Sequence, residues 1–140
     1  MKTDNRTVGG KFEQDLAVKL HECGFWVHVM QQNKAGQPAD IIALKGSFHT
    51  LIDCKVISDN NGFPFDRVEE NQRYAMRMFQ RRANELCWFA LRLPDASVWM
   101  IQMEKIECMK GRGKRKISEA EIRTATYPLD KWLVKYGEDT

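Results

Sequence analysis

Two acidic residues and a lysine stand at the ends of neighbouring apolar stretches, where a purely structural protein would avoid charge. Asp40 opens one apolar run, and Asp53 and Lys55 flank Cys54 at the end of the next. A buried charge costs several kcal/mol unless an opposite charge or a metal ion compensates it. A divalent cation is the natural compensation for two carboxylates, and metal-assisted chemistry is therefore the first hypothesis.

Hydrolysis of a phosphodiester is the chemistry that this set of residue types suits. Mg²⁺ can neutralise the phosphate, supply hydroxide and stabilise the leaving oxygen when carboxylates hold it and leave positions open. The expected ligands are Asp40 and Asp53, with Glu13 and the backbone carbonyl of Cys54 able to contribute. Lys55 is placed to orient the attacking water or to stabilise developing negative charge. Taken singly, the acids are ordinary strand-end residues and Lys55 a snorkelling lysine, but their conjunction favours a site.

A helix predicted over about residues 11–23 would carry Glu13. Its apolar arc is formed by Phe12, Leu16, Ala17, Leu20 and Cys23. Glu13 falls inside this arc, where a solvated charge is not expected. Residues 1–8 are expected to be loose, Gly9-Gly10 to permit a turn, and Gly24 to end the helix.

Three strands are predicted next, over residues 25–30, 39–44 and about 50–56. In the third strand, a period of two places Leu51, Asp53 and Lys55 on one face. Asp66 and Glu69 resemble a capping box that starts a second helix. The apolar stripe of that helix contains Gln72.

The later elements are predicted from the same patterns. In order, they are a strand over 87–93 buried on both faces, an antiparallel strand over 97–101, a short helix over 103–109, a short helix capped by Ser118 and Glu121, and a last helix containing Leu129, Trp132, Leu133 and Tyr136. The resulting order α-β-β-β-α-β-β-(α) predicts an α/β fold with one central mixed sheet flanked by helices. We expect a single domain over 1–140, with a core at about 9–102 and a basic loop and C-terminal helices over 103–140.

Basic residues are the second group with possible chemistry. The net charge of +3 permits a nucleic-acid partner without requiring one. The run from Lys110 to Lys116 is dense enough to favour phosphate contact, and its glycines are expected to keep it mobile. For the Arg73, Arg77, Arg81 row, a solvated helix face is the commoner explanation and DNA contact the alternative. The predicted DNA-contact residues are Lys34, Arg73, Arg77, Lys110, Arg112, Lys114, Arg115 and Lys116.

The cellular location is predicted from the lack of a recognisable signal peptide or membrane-spanning segment in the sequence. The N-terminus has no apolar core of a signal peptide, and no apolar run is long enough to span a bilayer. The four cysteines form no C-x-x-C pair and are expected to be reduced. We therefore expect no membrane partner and a cytoplasmic location, in a bacterium or a phage-infected host.

The site residues resemble the signature of the PD-(D/E)xK nuclease superfamily over about residues 9–93. The signature is Pro38-Ala39-Asp40 followed by Asp53-Cys54-Lys55. Within that superfamily the chain looks most like the RecU-type Holliday junction resolvases and related archaeal and phage resolvases. The further matches are Gly10-Lys11-Phe12-Glu13, Gly62-Phe63-Pro64-Phe65 and Gln72.

The resemblance implies a restriction-endonuclease-like core, α-β-β-β-α-β, and specific roles for these residues. Glu13, Asp40 and Asp53 would hold Mg²⁺, with Mn²⁺ able to substitute, and Lys55 would be catalytic. Gln72 would support the site, or else satisfy backbone groups at the helix–sheet contact. It also implies a homodimer that nicks four-way junctions symmetrically. The chain has Asp53 where the resolvases usually have Glu, and its short loop at 31–37 leaves no room for a large stalk.

The expected function is a Mg²⁺-dependent, structure-selective DNA endonuclease, as in Holliday junction resolution. One alternative is a repair or restriction-type nuclease that cuts duplex or single-stranded DNA. Another is a DNA-binding adaptor without catalysis, which the intact acidic and lysine set argues against. The preferred DNA structure or sequence, the number of metals and the pathway stay open at this point.

Overall fold

The computed structural model describes residues 5–30, 39–58 and 62–137, with the backbone alone for 5–9. The helices are α1 (Asn5–Glu22), α2 (Glu70–Ala83), α3 (Met103–Gly111), α4 (Glu119–Ala125) and α5 (Leu129–Gly137), with a 3₁₀ helix at Phe65–Arg67. The strands are β1 (Trp26–Val29), β2 (Ile41–Lys45), β3 (Phe48–Val56), β4 (Phe63–Pro64), β5 (Trp88–Arg92), β6 (Val98–Gln102), β7 (Lys116–Ile117) and β8 (Tyr127–Pro128). None of the described helices combines the length and apolarity that a bilayer crossing requires.

A six-stranded mixed sheet forms the centre, in the order β1-β2-β3-β5-β6-β8. β3 lies in its middle, antiparallel to β2 and parallel to β5, with Asp53 opposite Phe89 in the parallel register. A parallel neighbour requires a crossover connection, and α2 provides it. The predicted mixed sheet flanked by helices is therefore confirmed.

Each face of the sheet has its own apolar core. On one face, Leu51 and Met76 belong to a cluster that α2, α3 and α4 cover. On the other, Ile52 belongs to a cluster with residues of α1 and α5 such as Leu16 and Trp132. The alternation of β3 between the two clusters confirms that Asp53 and Lys55 share one face, as the period of two predicted, and the structure shows that this is the face covered by α2.

Three expectations about local structure are wrong. The first helix begins at Asn5, so Gly9-Gly10 continues the helix and makes no turn. The capping box at Asp66 is absent: buried Phe65 starts a 3₁₀ turn after Pro64, extended Val68 interrupts it, and α2 begins only after Glu69, whose side chain makes no cap. The basic run is not an irregular loop either, since its backbone ends α3, makes a hydrogen-bonded turn and enters β7.

The capping box at the start of α4 is confirmed. The Ser118 hydroxyl accepts from the Glu121 backbone N–H at 3.2 Å, and the Glu121 carboxylate accepts from the Ser118 N–H at 3.1 Å. The last helix is confirmed too, because Trp132 stacks on Phe25 and lies edge-on to Trp88.

Candidate active site

Asp53 is a buried carboxylate in the central strand with an incomplete set of partners. It is 1% exposed, and Gln72 donates a hydrogen bond from Nε2 to its Oδ1 at 2.9 Å. Lys55 Nζ lies 3.1 Å from Oδ2, yet that oxygen accepts no hydrogen bond from the described residues. Burial is the main cause that raises the pKa of Asp53 to about 7. The positive charge of Lys55 lowers this pKa, and the negative charge of Asp40 raises it. The structure therefore holds a carboxylate whose negative charge is only partly compensated.

Asp40 lies beside it because β2 starts where β3 ends. The Asp40 backbone N–H donates to the Ile52 carbonyl at 3.1 Å, one step before β2 begins. Its Oδ2 accepts from the backbone N–H of Cys54 at 2.7 Å. The Asp40 carboxylate thus accepts the Cys54 N–H in place of a backbone carbonyl of β2.

Glu13 reaches Asp40 from α1, and the two carboxyl groups share a hydrogen bond. Burial, followed by the charge of Asp40, raises the pKa of Glu13 to about 7. A neighbouring carboxylate disfavours the ionised form of Glu13. A bound cation would remove that repulsion.

The Cys54 carbonyl points toward the same gap. The N–H and C=O of one strand residue leave on the same side, so the Cys54 carbonyl faces β2 as its N–H does. The paired part of β2 ends at Ile41, opposite Ile52. The carbonyl is therefore directed to the region of Asp40.

Gln72 connects α2 to both charged residues of β3. Its Nε2 donates to Asp53, and its Oε1 is 3.5 Å from Lys55 Nζ. It is 8% exposed, on the buried face of α2 as predicted. Both polar ends of its amide are directed to the site, which supports a role there above a general backbone-satisfying one.

The oxygen donors of the site are of the type that binds a hard divalent cation, but they are not arranged around one point. Carboxylate and carbonyl oxygens are the ligands that Mg²⁺ prefers, and Asp53 Oδ2, which accepts no hydrogen bond from the described residues and has only the Lys55 ammonium beside it, is one such donor. No three His, Cys, Asp or Glu side chains in the described ranges are arranged to enclose a metal. Asp40 is engaged by Cys54 and Glu13, so a closed ligand set requires a carboxylate to turn.

The structure separates the predicted DNA-contact residues into two groups. Arg73 and Arg77 bind Glu107 of α3, with Nη2 to Oε2 distances of 2.8 and 3.0 Å, and Lys114 pairs with Glu121. The second group, at the end of α3 and in the turn that follows, is formed by Lys110, Arg112, Arg115 and Lys116. Lys34 lies outside the described residues, as does Pro38 of the signature.

Glu107 is a residue that sequence reasoning missed. Burial alone would raise its pKa, but hydrogen bonds and charge from Arg73, together with Arg77, lower it overall. No local pattern links an acid on α3 with arginines on α2, because only the tertiary packing brings them together.

Comparison with known proteins identifies a matching family and similar solved structures. Residues 4–133 match the model of a family described as archaeal Holliday junction resolvase (Hjc). The fold is similar to Hjc from Archaeoglobus fulgidus, described as a Holliday junction resolvase from an archaeal hyperthermophile. The TM-score is 0.67 at 20% identity, over 90% of this chain and 98% of that one. No curated protein sequence matches. Because the family match spans nearly the whole chain, this protein belongs to the Hjc family of structure-selective junction endonucleases, within the PD-(D/E)xK superfamily.

Proposed function

We propose that the protein resolves Holliday junctions by Mg²⁺-dependent hydrolysis, with Glu13, Asp40, Asp53, Lys55 and Gln72 as its catalytic centre. The observation that carries the proposal is the convergence of the carboxyl groups of Glu13, Asp40 and Asp53 with Lys55, whose Nζ lies 3.1 Å from the buried Asp53 Oδ2.

The roles follow from the contacts. Asp40, Asp53, Glu13 and the Cys54 carbonyl would hold the cation, which when bound supplies charge neutralisation and a more acidic water. Gln72 holds the Asp53 carboxylate in one orientation through Oδ1 and leaves Oδ2 toward Lys55. Lys55, whose side chain is 16% exposed, can orient water or stabilise charge on the phosphate. Mn²⁺ would substitute for Mg²⁺ at the same oxygen donors.

The proposed substrate is four-way or otherwise branched DNA, and the proposed active form is a homodimer. Two symmetric nicks require two sites, which a twofold dimer provides. The exposed pair Trp26 (58%) and Leu44 (39%), opposite one another in the β1–β2 register, supports this proposal. A second copy would cover this apolar pair at the sheet edge. Trp26→Lys is expected to halve the mass measured by light scattering, and a wild-type monomer that cuts junctions would disprove the dimer.

The remaining assignments extend the same proposal. The chain forms one domain over 1–140, and it acts in the cytoplasm of a bacterium or a phage-infected cell. Four free cysteines at 23, 54, 87 and 108 agree with a reducing compartment.

Cleavage of labelled substrates tests the function. The four-way junction, linear duplex and single strand are incubated with Mg²⁺, and Asp53→Asn is the matched control because it keeps shape and removes charge. Paired nicks on the junction alone, absent in the variant, support the proposal. Equal cutting of all three substrates would indicate a general nuclease, and tight binding without cutting in Mg²⁺ or Mn²⁺ would indicate an adaptor.

A further inference from the structure

We propose that the turn between α3 and β7 is a fixed phosphate-binding surface that holds the DNA backbone in register with the acidic site. We call it the basic turn and define it by the exposed cations Arg112, Arg115 and Lys116. The inference rests on the proposed function for its substrate, and it says which of the protein's cations hold that substrate.

The first argument is the distribution of acidic partners. Glu107 binds Arg73 and Arg77, and Glu121 binds Lys114, so these cations are already neutralised. The hydrogen bond from Lys114 lowers the pKa of Glu121 to about 2. The cations of the basic turn have no acidic partner among the residues that the structure describes. They retain their full charge for an external anion.

The second argument is that the backbone of the turn is held by hydrogen bonds. Gly113 has φ +87°, its N–H donates to the Lys110 carbonyl at 2.9 Å, and the Lys114 N–H donates to the Met109 carbonyl at 3.0 Å. β7 then pairs with β4, with Lys116 opposite Pro64, and the Phe65 N–H donates to the Arg115 carbonyl at 2.9 Å. Neighbouring like charges oppose folding, so a rigid turn that presents three of them suits the binding of a polyanion.

The third argument is the position of the turn. β4 follows β3 directly in the chain, and Gly62 before it approaches β7 so closely that a Cβ would lie 2.2 Å from the Ile117 carbonyl oxygen. Arg67, in the 3₁₀ helix after β4, donates to the Val56 carbonyl at 3.0 Å. The basic turn is thereby joined to the end of the strand that carries Asp53 and Lys55.

The chemistry of the turn points to the DNA backbone and not to bases. Half to two-thirds of protein–DNA hydrogen bonds go to phosphate and sugar oxygens, with arginine and lysine among the donors, and such contacts carry no direct sequence information. Each phosphate neutralised contributes about 0.9 to the slope of log affinity against log salt for duplex DNA. Three contacts would therefore account for up to about 2.7 of that slope.

The test compares two triple variants with equal charge. Arg112→Gln/Arg115→Gln/Lys116→Gln removes the cations of the turn, and Lys19→Gln/Arg82→Gln/Lys131→Gln removes three exposed cations from other elements. Each removes three positive charges and so lowers the formal net charge from +3 to 0. Binding of a fluorescent four-way junction is measured in EDTA over a series of NaCl concentrations, and circular dichroism confirms that both variants fold.

We expect the turn variant to bind roughly tenfold or more weakly at low salt, with a slope smaller by about 2 to 3, and the control to change little. Equal losses in both variants would reduce the effect to net charge and overturn the proposal. No loss in either would overturn it as well. Because binding is measured without metal, a wild-type protein that binds through the turn but does not cut would disprove the proposed function alone. A turn variant that binds and cuts like wild type would disprove this inference alone.

Discussion

Replacing Asp53 with Asn is expected to stabilise the metal-free protein at alkaline pH, although it should abolish cleavage. The Asp53 pKa is about 7 in the folded protein, against about 3.9 for an ordinary aspartate. A carboxyl group with a raised folded pKa contributes stability below its unfolded pKa, and this is lost as pH rises through the folded value. At about pH 8 the ionised Asp53 therefore opposes folding by roughly 4 kcal/mol, at 1.36 kcal/mol per pH unit.

The assay is urea unfolding in EDTA at about pH 5 and about pH 8. Wild type should lose stability between the two pH values, and Asp53→Asn should lose less. The difference between the two losses gives the contribution of Asp53 separately from that of Glu13, which is present in both proteins. Asp95→Asn is a control of opposite sign, because hydrogen bonds from Ser97 and Arg123 lower the pKa of Asp95. That exposed variant should be slightly less stable than wild type at neutral pH. A destabilised Asp53→Asn at about pH 8 would refute the reasoning, since Lys55 would then fully compensate the carboxylate.

Three further predictions concern metal, glycine and charge. Mg²⁺ or Mn²⁺ at about 100 times its dissociation constant should stabilise wild type by about 2.7 kcal/mol and leave Asp53→Asn unchanged, as thermal shift would show. Gly62→Ala should destabilise by several kcal/mol, because its φ is +80° and the new Cβ would overlap the Ile117 carbonyl. Gly10→Ala should stabilise by about 0.5–1 kcal/mol, because nothing lies within 4 Å of its Cβ in a helix. Relative to wild type, the denaturant midpoint should therefore fall for Gly62→Ala and rise for Gly10→Ala. Glu107→Gln should lower stability by about 1–3 kcal/mol at neutral pH and by less at low pH, where the wild-type carboxyl is protonated; a pH-independent loss would contradict the ion-pair account.

The sheet and the carboxylate cluster were predictable because their signals are local. The alternation of apolar and charged residues in β3 specifies which face Asp53 and Lys55 occupy, and Glu13 interrupts an apolar arc of α1. Gln72 was visible for the same reason, as an amide inside an apolar stripe. The resemblance then supplied the roles that spacing alone does not give.

The rest depended on tertiary contacts. The start of α2 was predicted from Asp66, but burial of Phe65 and the extended Val68 outweighed a capping pattern worth about 1 kcal/mol. Glycines in the Lys110–Lys116 run suggested an irregular loop, whereas the end of this run pairs with β4 in a short sheet. Glu107 pairs with Arg73 and Arg77 across the contact between α3 and α2, and no sequence pattern indicates a pairing between residues so far apart in the chain.

The parallel pairing of β3 with β5 has a kinetic consequence. β2 and β3 are joined by the short turn at Gly46–Ser47 and can form a hairpin in microseconds. β5 begins only at Trp88, and such non-local parallel pairing is slow, because loop closure must precede it. The nascent hairpin would leave Asp53 in water, where it ionises at its ordinary pKa. Burial of the Asp53 carboxylate, which raises its pKa, then occurs in the late step, when β5 and α2 close over it, so mild acid or a divalent cation is expected to accelerate that step of folding.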